Sequence, residues 1–246
     1  MGYEMASVAL APLFAVQGRY VQRVALRLPE PPGPRAGCEG VGPELRVLIV
    51  GDSAAAGVGS ASQDEALRGR LVADLAHTFR VSWALVARTG ATTAGTARHL
   101  AGRPAEVFDV VVLSLGGNDV MRRRPLPRWL EDVGALAALL RARFAARHLL
   151  LSGLPPMHHF PAFPQPLRWY LGATARRFDR ALARWAASQP DCEHVPLTFP
   201  TDVPTGVGLL APDGLHPGPL LYQRWSDELA RRIRARWASP PAVEPL

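Results

Sequence analysis

The sequence predicts an α/β fold, a three-layer α/β/α sandwich around a mainly parallel five-stranded sheet. Three observations predict it. Short β-branched runs, of which Val110-Val111-Val112-Leu113 is the clearest, alternate with longer stretches of helical periodicity, the pattern of right-handed βαβ crossovers. The runs are apolar at consecutive positions, as in strands covered on both faces of a parallel sheet. A chain of 246 residues that is 48% hydrophobic suits one large core better than two small ones.

The elements follow in order. Val8 to Val16 is apolar and is followed by Arg19, Arg23 and Arg27 at helical spacing. This stretch is too short to span a bilayer, and Glu4 is the sole charge before it, so neither a membrane span nor a secretory leader is expected. Two readings of residues 6–28 stay open: a basic amphipathic helix in peripheral contact with a membrane, or a helix packed on the domain. The packing reading is preferred, and the expected location is cytoplasmic. Pro29 to Pro43 is dense in proline and glycine and reads as a linker.

Leu45 to Val50 is the first strand, and Glu65 to Phe79 a helix with Leu67, Leu71, Leu75 and Phe79 on one face. Val81–Val86 is the second strand, Ala91–Leu100 a short helix and Val110–Leu113 the third strand. Trp129–Arg147 reads as a helix, His148–Ser152 as a strand, Leu167–Ser188 as a helix and His194–Leu197 as the fifth strand. A final helix runs from about Pro219 to Trp237. The implied organisation is an amino-terminal helix and linker over 1–43, an α/β domain over 44–238 and a frayed tail over 239–246.

Composition excludes several functions. The net charge is +7, with an isoelectric point near 10.5, and all 28 cationic residues are arginine. Without lysine there is no Walker-type phosphate loop. Arginines scattered along helices read as solvated faces, so no nucleic-acid partner is expected. Gly57-Val58-Gly59 lacks the third glycine of a dinucleotide loop, with Ser62 in its place, and no cofactor is expected. His158-His159 has no cysteine or carboxylate beside it to complete a zinc site, and no metal is expected. Cys38 and Cys192 are too few for a disulfide framework.

Three segments carry chemistry. Gly51-Asp52-Ser53 offers a hydroxyl nucleophile, Gly116-Gly117-Asn118-Asp119 an amide donor for a developing oxyanion, and Asp213-Gly214-Leu215-His216 an imidazole with a carboxylate to orient it. Ser53, Gly90 and Asn118 follow successive strands, where an open α/β sheet places its ligands. The small residues after Ser53 let a helix begin at once, with the Ser53 N–H near its positive end. Alone, Ser53 would read as a helix N-cap and Asp213 as an Asx-turn. The i, i+3 spacing of Asp213 and His216 instead lets one imidazole nitrogen meet the carboxylate while the other faces Ser53. Asp52 and Asp119 read as loop-stiffening hydrogen-bonding residues. Phe160, Phe163, Trp169 and Tyr170 read as core or as an acyl-pocket wall.

These blocks, spread over most of residues 45 to 237, resemble those of the SGNH (GDSL-type) hydrolase family, marked in chain order by a serine, a glycine, an asparagine and a histidine. The resemblance implies a flavodoxin-like sandwich and an acyl-enzyme mechanism. Ser53 would be nucleophile, His216 base and Asp213 its orienting acid, with the Ser53 and Gly90 N–H groups and the Asn118 amide forming the oxyanion hole. Arg88-Thr89-Gly90-Ala91 matches the glycine block loosely, and Ala54 stands where the family commonly has leucine. The expected function is hydrolysis of small acyl esters. The alternatives are an O-acyltransferase with the same acyl-enzyme and a non-catalytic carbohydrate- or lipid-binding module. The sequence fixes neither the substrate's two halves nor the oligomeric state.

Overall fold

The computed structural model describes residues 5, 8–199 and 208–237. The sheet order is β1-β3-β2-β4-β5-β6, with β1 Ala36–Glu39, β2 Glu44–Gly51, β3 Arg80–Ala87, β4 Val110–Ser114, β5 His148–Ser152 and β6 Cys192–Val195. All neighbours pair in parallel except β1, which runs antiparallel to β3. The sheet therefore has six strands, not the five expected. The added strand comes from the Pro/Gly-rich stretch read as a linker, and its four residues are all exposed, so no apolar pattern marks it. Gly37 lets it lie against Trp83, whose ring atom would sit 2.8 Å from a Cβ there.

The helices are α1 Ala11–Val24, α2 Leu67–Leu75, α3 Thr93–Ala101, α4 Gly117–Met121, α5 Leu126–Phe144, α6 Leu167–Ala187 and α7 Pro219–Trp237. Side chains alternate across the strands and divide the core in two. Leu45, Val47 and Ile49 of β2 pack with Leu71 and Leu75 of α2 and Tyr222, Leu229 and Ile233 of α7. Leu48 and Val50 face the other way, in a core with Trp129, Leu136 and Leu140 of α5 and Phe178 and Leu182 of α6. This is the expected α/β/α sandwich. α1 docks on α6, with the Phe14 ring stacked on Tyr170 at 4.6 Å. Gln17 brackets the start of α6, donating to the Gln165 carbonyl at 2.7 Å and accepting from the Leu167 N–H at 3.1 Å. No helix of the described residues is long and apolar enough to cross a membrane.

Candidate active site

β2 ends at Gly51, held in register between Ala87 of β3 and Ser114 of β4. The strand order reverses here, so a crevice opens outside the carboxyl ends of the strands. The Asp52 N–H donates to the Ser114 carbonyl at 3.1 Å, which fixes where Ser53 emerges. The helix expected to begin at Ser53 does not form. One helical bond, from the Ala56 N–H to the Asp52 carbonyl at 2.9 Å, is made, and then Gly57 (φ +91°) and Gly59 (φ +102°) turn the chain left-handed. Regular helix starts only at Leu67. A Cβ on Gly59 would lie 2.6 Å from the Pro217 carbonyl oxygen, so the turn needs glycine to approach the histidine loop. From α7, the buried Tyr222 hydroxyl lies 3.0 Å from the Ala54 carbonyl oxygen and 2.8 Å from that of Val58, pinning the same turn.

The histidine arrives on a closed loop. Leu210 and Pro217 form an antiparallel bridge, and the Ala211 N–H donates to the His216 carbonyl at 2.9 Å. Inside it, Asp213 divides its two oxygens. Oδ1 accepts the Leu215 and His216 N–H groups, each at 3.0 Å, as an Asx-turn does, while Oδ2 meets His216 Nδ1 at 2.5 Å. The other ring nitrogen, Nε2, lies 2.8 Å from Ser53 Oγ. Burial pushes the Asp213 carboxyl up, but the hydrogen bonds from the His216 ring and from the two backbone N–H groups outweigh it and hold it below the usual carboxylate range. Ser53, His216 and Asp213 thus form one continuous chain of contacts.

Asn118, in the first turn of α4, directs its Nδ2 to the Ala91 carbonyl at 3.0 Å and to Asp52 Oδ2 at 3.3 Å. The other Asp52 oxygen accepts the Ala54 N–H at 3.1 Å. Burial is the main reason the Asp52 carboxyl is pushed up to about 6; the Ala54 bond and His216 oppose it, and Asp119 adds to it. Asp119 accepts the Thr93 N–H at 3.0 Å and the Thr93 hydroxyl at 2.9 Å, and Trp129 Nε1 donates to that hydroxyl at 3.0 Å. Both aspartates brace loops. Neither the Ser53 nor the Gly90 N–H meets an acceptor among the described residues. Gly90 (φ +77°) sits beyond β3 with its carbonyl accepting from Arg122 at 3.1 Å, outside the residues that line the cavity.

That cavity, of about 620 Å³, has Ser53, Asn118 and His216 on one wall. Leu115, Met121, Met157, Phe160, Phe199 and Leu215 give it an apolar lining, and Arg224, Glu228, Arg231 and Arg232 of α7 line it as well. Of the aromatics singled out in the sequence, Phe160 lines it; Phe163 is buried in the core and Tyr170 stacks on α1. His158 and His159 are not lining residues: the His159 ring stacks on Phe199, and His158 lies 3.2 Å from an Arg176 nitrogen. Sequence reasoning missed Tyr222 and the Asp52–Asn118 contact. Both join segments far apart in the chain, and no local pattern announces either.

The model of the GDSL-like lipase/acylhydrolase family matches residues 49–224. Esterase TesA of Pseudomonas aeruginosa is 31% identical over 174 residues, 70% of this chain and 79% of that protein. Among solved structures, the lipase Lip_vut3 from a goat rumen metagenome superposes with a TM-score of 0.58 at 19% identity, covering 76% of this chain and 96% of that one. The psychrotrophic esterase EstA from Pseudoalteromonas sp., in a structure inhibited by monoethylphosphonate, gives 0.56 at 20% identity over 79% and 99%.

Proposed function

Because this chain belongs to the GDSL-like lipase/acylhydrolase family and is a carboxylic ester hydrolase, we propose that Ser53 is its nucleophile and that it acts through an acyl-enzyme. The observation that carries this reading is the contact chain Ser53 Oγ–His216 Nε2–Asp213 opening on the cavity. Ser53 Oγ attacks the ester carbonyl as His216 Nε2 takes its proton. Asp213 fixes the tautomer in which Nδ1 carries a proton and steadies the imidazolium that forms. His216 then returns the proton to the departing alkoxide. Water, deprotonated by the same imidazole, attacks the acyl-enzyme and frees the acid.

The tetrahedral oxyanion is held by the Ser53 N–H and the Asn118 amide, both of which line the cavity, and the Gly90 N–H, outside the lining residues, is the third donor that the family resemblance implies. Asn118 reaches it by giving up the longer of its two bonds, the one to Asp52. The apolar flank of Leu115, Met157, Phe160 and Phe199 receives the acyl chain. The substrate is a small acyl ester. Labelling with a fluorophosphonate tests the reading, the esterase EstA having been inhibited by a phosphonate. Label is expected on Ser53 of the wild type and on no residue of Ser53→Ala. A wild type that neither labels nor hydrolyses p-nitrophenyl esters overturns it.

A further inference from the structure

Helix α1 has two apolar faces, and its packing on the domain uses one. Phe14 is buried and Val21 packs on the same core. Beside that packed face Leu13, Val16, Tyr20 and Val24 recur at helical spacing as one stripe, and they are 41%, 63%, 59% and 57% exposed. Arg19 and Arg23 lie beside that stripe and Arg27 follows the helix, while residues 5–28 contain no Asp or Glu.

We propose that this face of α1 docks on a lipid bilayer carrying anionic headgroups, with the helix lying in the interfacial plane. The stripe by itself would suit any apolar partner, and the charges decide among them. A second copy of this chain would set arginine against arginine with no carboxylate on the helix to answer them. A nucleic acid would answer the charge and leave the stripe in water. An anionic bilayer answers both: the stripe enters the boundary between headgroups and acyl chains, and the guanidinium groups reach back to the phosphates. The position of α1 agrees. Gln17 ties it to Gln165 and Leu167, a few residues after Pro155, Pro156, Met157 and Phe160, which line the cavity.

The test is co-sedimentation of the full-length chain with vesicles of phosphatidylcholine alone and of phosphatidylcholine mixed equally with phosphatidylglycerol, at low salt and at about 0.5 M salt. The variants are Val16→Asp/Val24→Asp and Arg19→Gln/Arg23→Gln, whose side chains leave the core untouched; thermal unfolding confirms that each variant is folded, independently of any activity. Expected are binding to the anionic vesicles, loss of binding with salt, and a fall of about tenfold or more in the aspartate double variant. The glutamine double variant should bind less and lose its salt dependence. A wild type left in the supernatant with anionic vesicles at low salt overturns the proposal, as does binding unchanged in the aspartate variant. A dimer by light scattering that the aspartate variant dissociates assigns the stripe to a second copy and also overturns it.

Discussion

Asp52 and Asn118 lie 66 residues apart in sequence and meet through a 3.3 Å hydrogen bond from the asparagine amide to the carboxylate. The neighbour of the proposed nucleophile therefore holds the group proposed to receive the oxyanion. Burial pushes this carboxyl up to about 6, so the strength of the tether changes around that pH. Removing the charge should be visible in stability as well as in rate.

The Asp52 carboxyl is raised in the folded protein, so its contribution to stability is fully present below its unfolded value near pH 4 and is lost as pH climbs through about 6. Asp52→Asn does not suffer that loss. Melting temperatures of wild type and variant, measured from pH 4 to pH 8, should diverge in the variant's favour as pH rises through 6, other titrations dropping out of the comparison. A constant difference would contradict the shift.

Ser53→Ala and His216→Ala should each lower kcat/KM on p-nitrophenyl esters by about a thousandfold or more with melting temperature little changed. Asp213→Asn should cost activity of similar order and some stability as well, because Oδ1 also organises the loop. Paired kinetics and calorimetry separate the two effects.

Tyr222→Phe deletes one oxygen and leaves the packing of α7 intact. The Ala54 and Val58 carbonyls lose that partner, and a stability loss of about 1–2 kcal/mol is expected. With the Ser53 turn loosened, kcat should fall more than KM rises. A variant that is less stable with kcat unchanged would show that Tyr222 supports the fold and not the turn.

Gly59→Ala sets a Cβ against the Pro217 carbonyl at a backbone angle of φ +102°. The cost should be about 2 kcal/mol or more in unfolding free energy. Activity should drop further than that of an equally destabilised core variant, because the strain falls between the serine turn and the histidine loop.

Met157→Trp narrows the apolar lining of the cavity, and because Met157 is buried with its methyl against Gly117, beside Asn118, melting temperature is measured alongside the kinetics. The kcat/KM for octanoyl esters should fall at least about tenfold relative to acetyl esters, as expected when a methylene pocket is filled. An unchanged chain-length profile would show that the acyl chain does not lie against Met157.

The sequence revealed what is repetitive or local. β5 and α7 coincide with the stretches read from periodicity alone, and Asp213 with His216 could be paired from their spacing. β1 stayed hidden because all four residues are exposed and its register depends on Trp83 in another strand. The serine turn was misread as a helix: Ala54-Ala55-Ala56 favours one locally, whereas contact with Pro217, far along the chain, demands left-handed glycine. Gly90 was placed after its strand correctly, yet where its N–H points relative to the cavity depends on loop geometry that spacing does not encode.

The separation of Ser53 from His216 by 163 residues also orders events during synthesis. At roughly 5–20 residues per second, the ribosome adds the imidazole about 8 to 33 seconds after the serine. Through that interval the Ser53 hydroxyl lacks the base proposed for it, and the turn that presents it lacks the Tyr222 anchor. On the proposed roles, a nascent chain carries an inert alcohol until the His216 loop and α7 have joined the sheet.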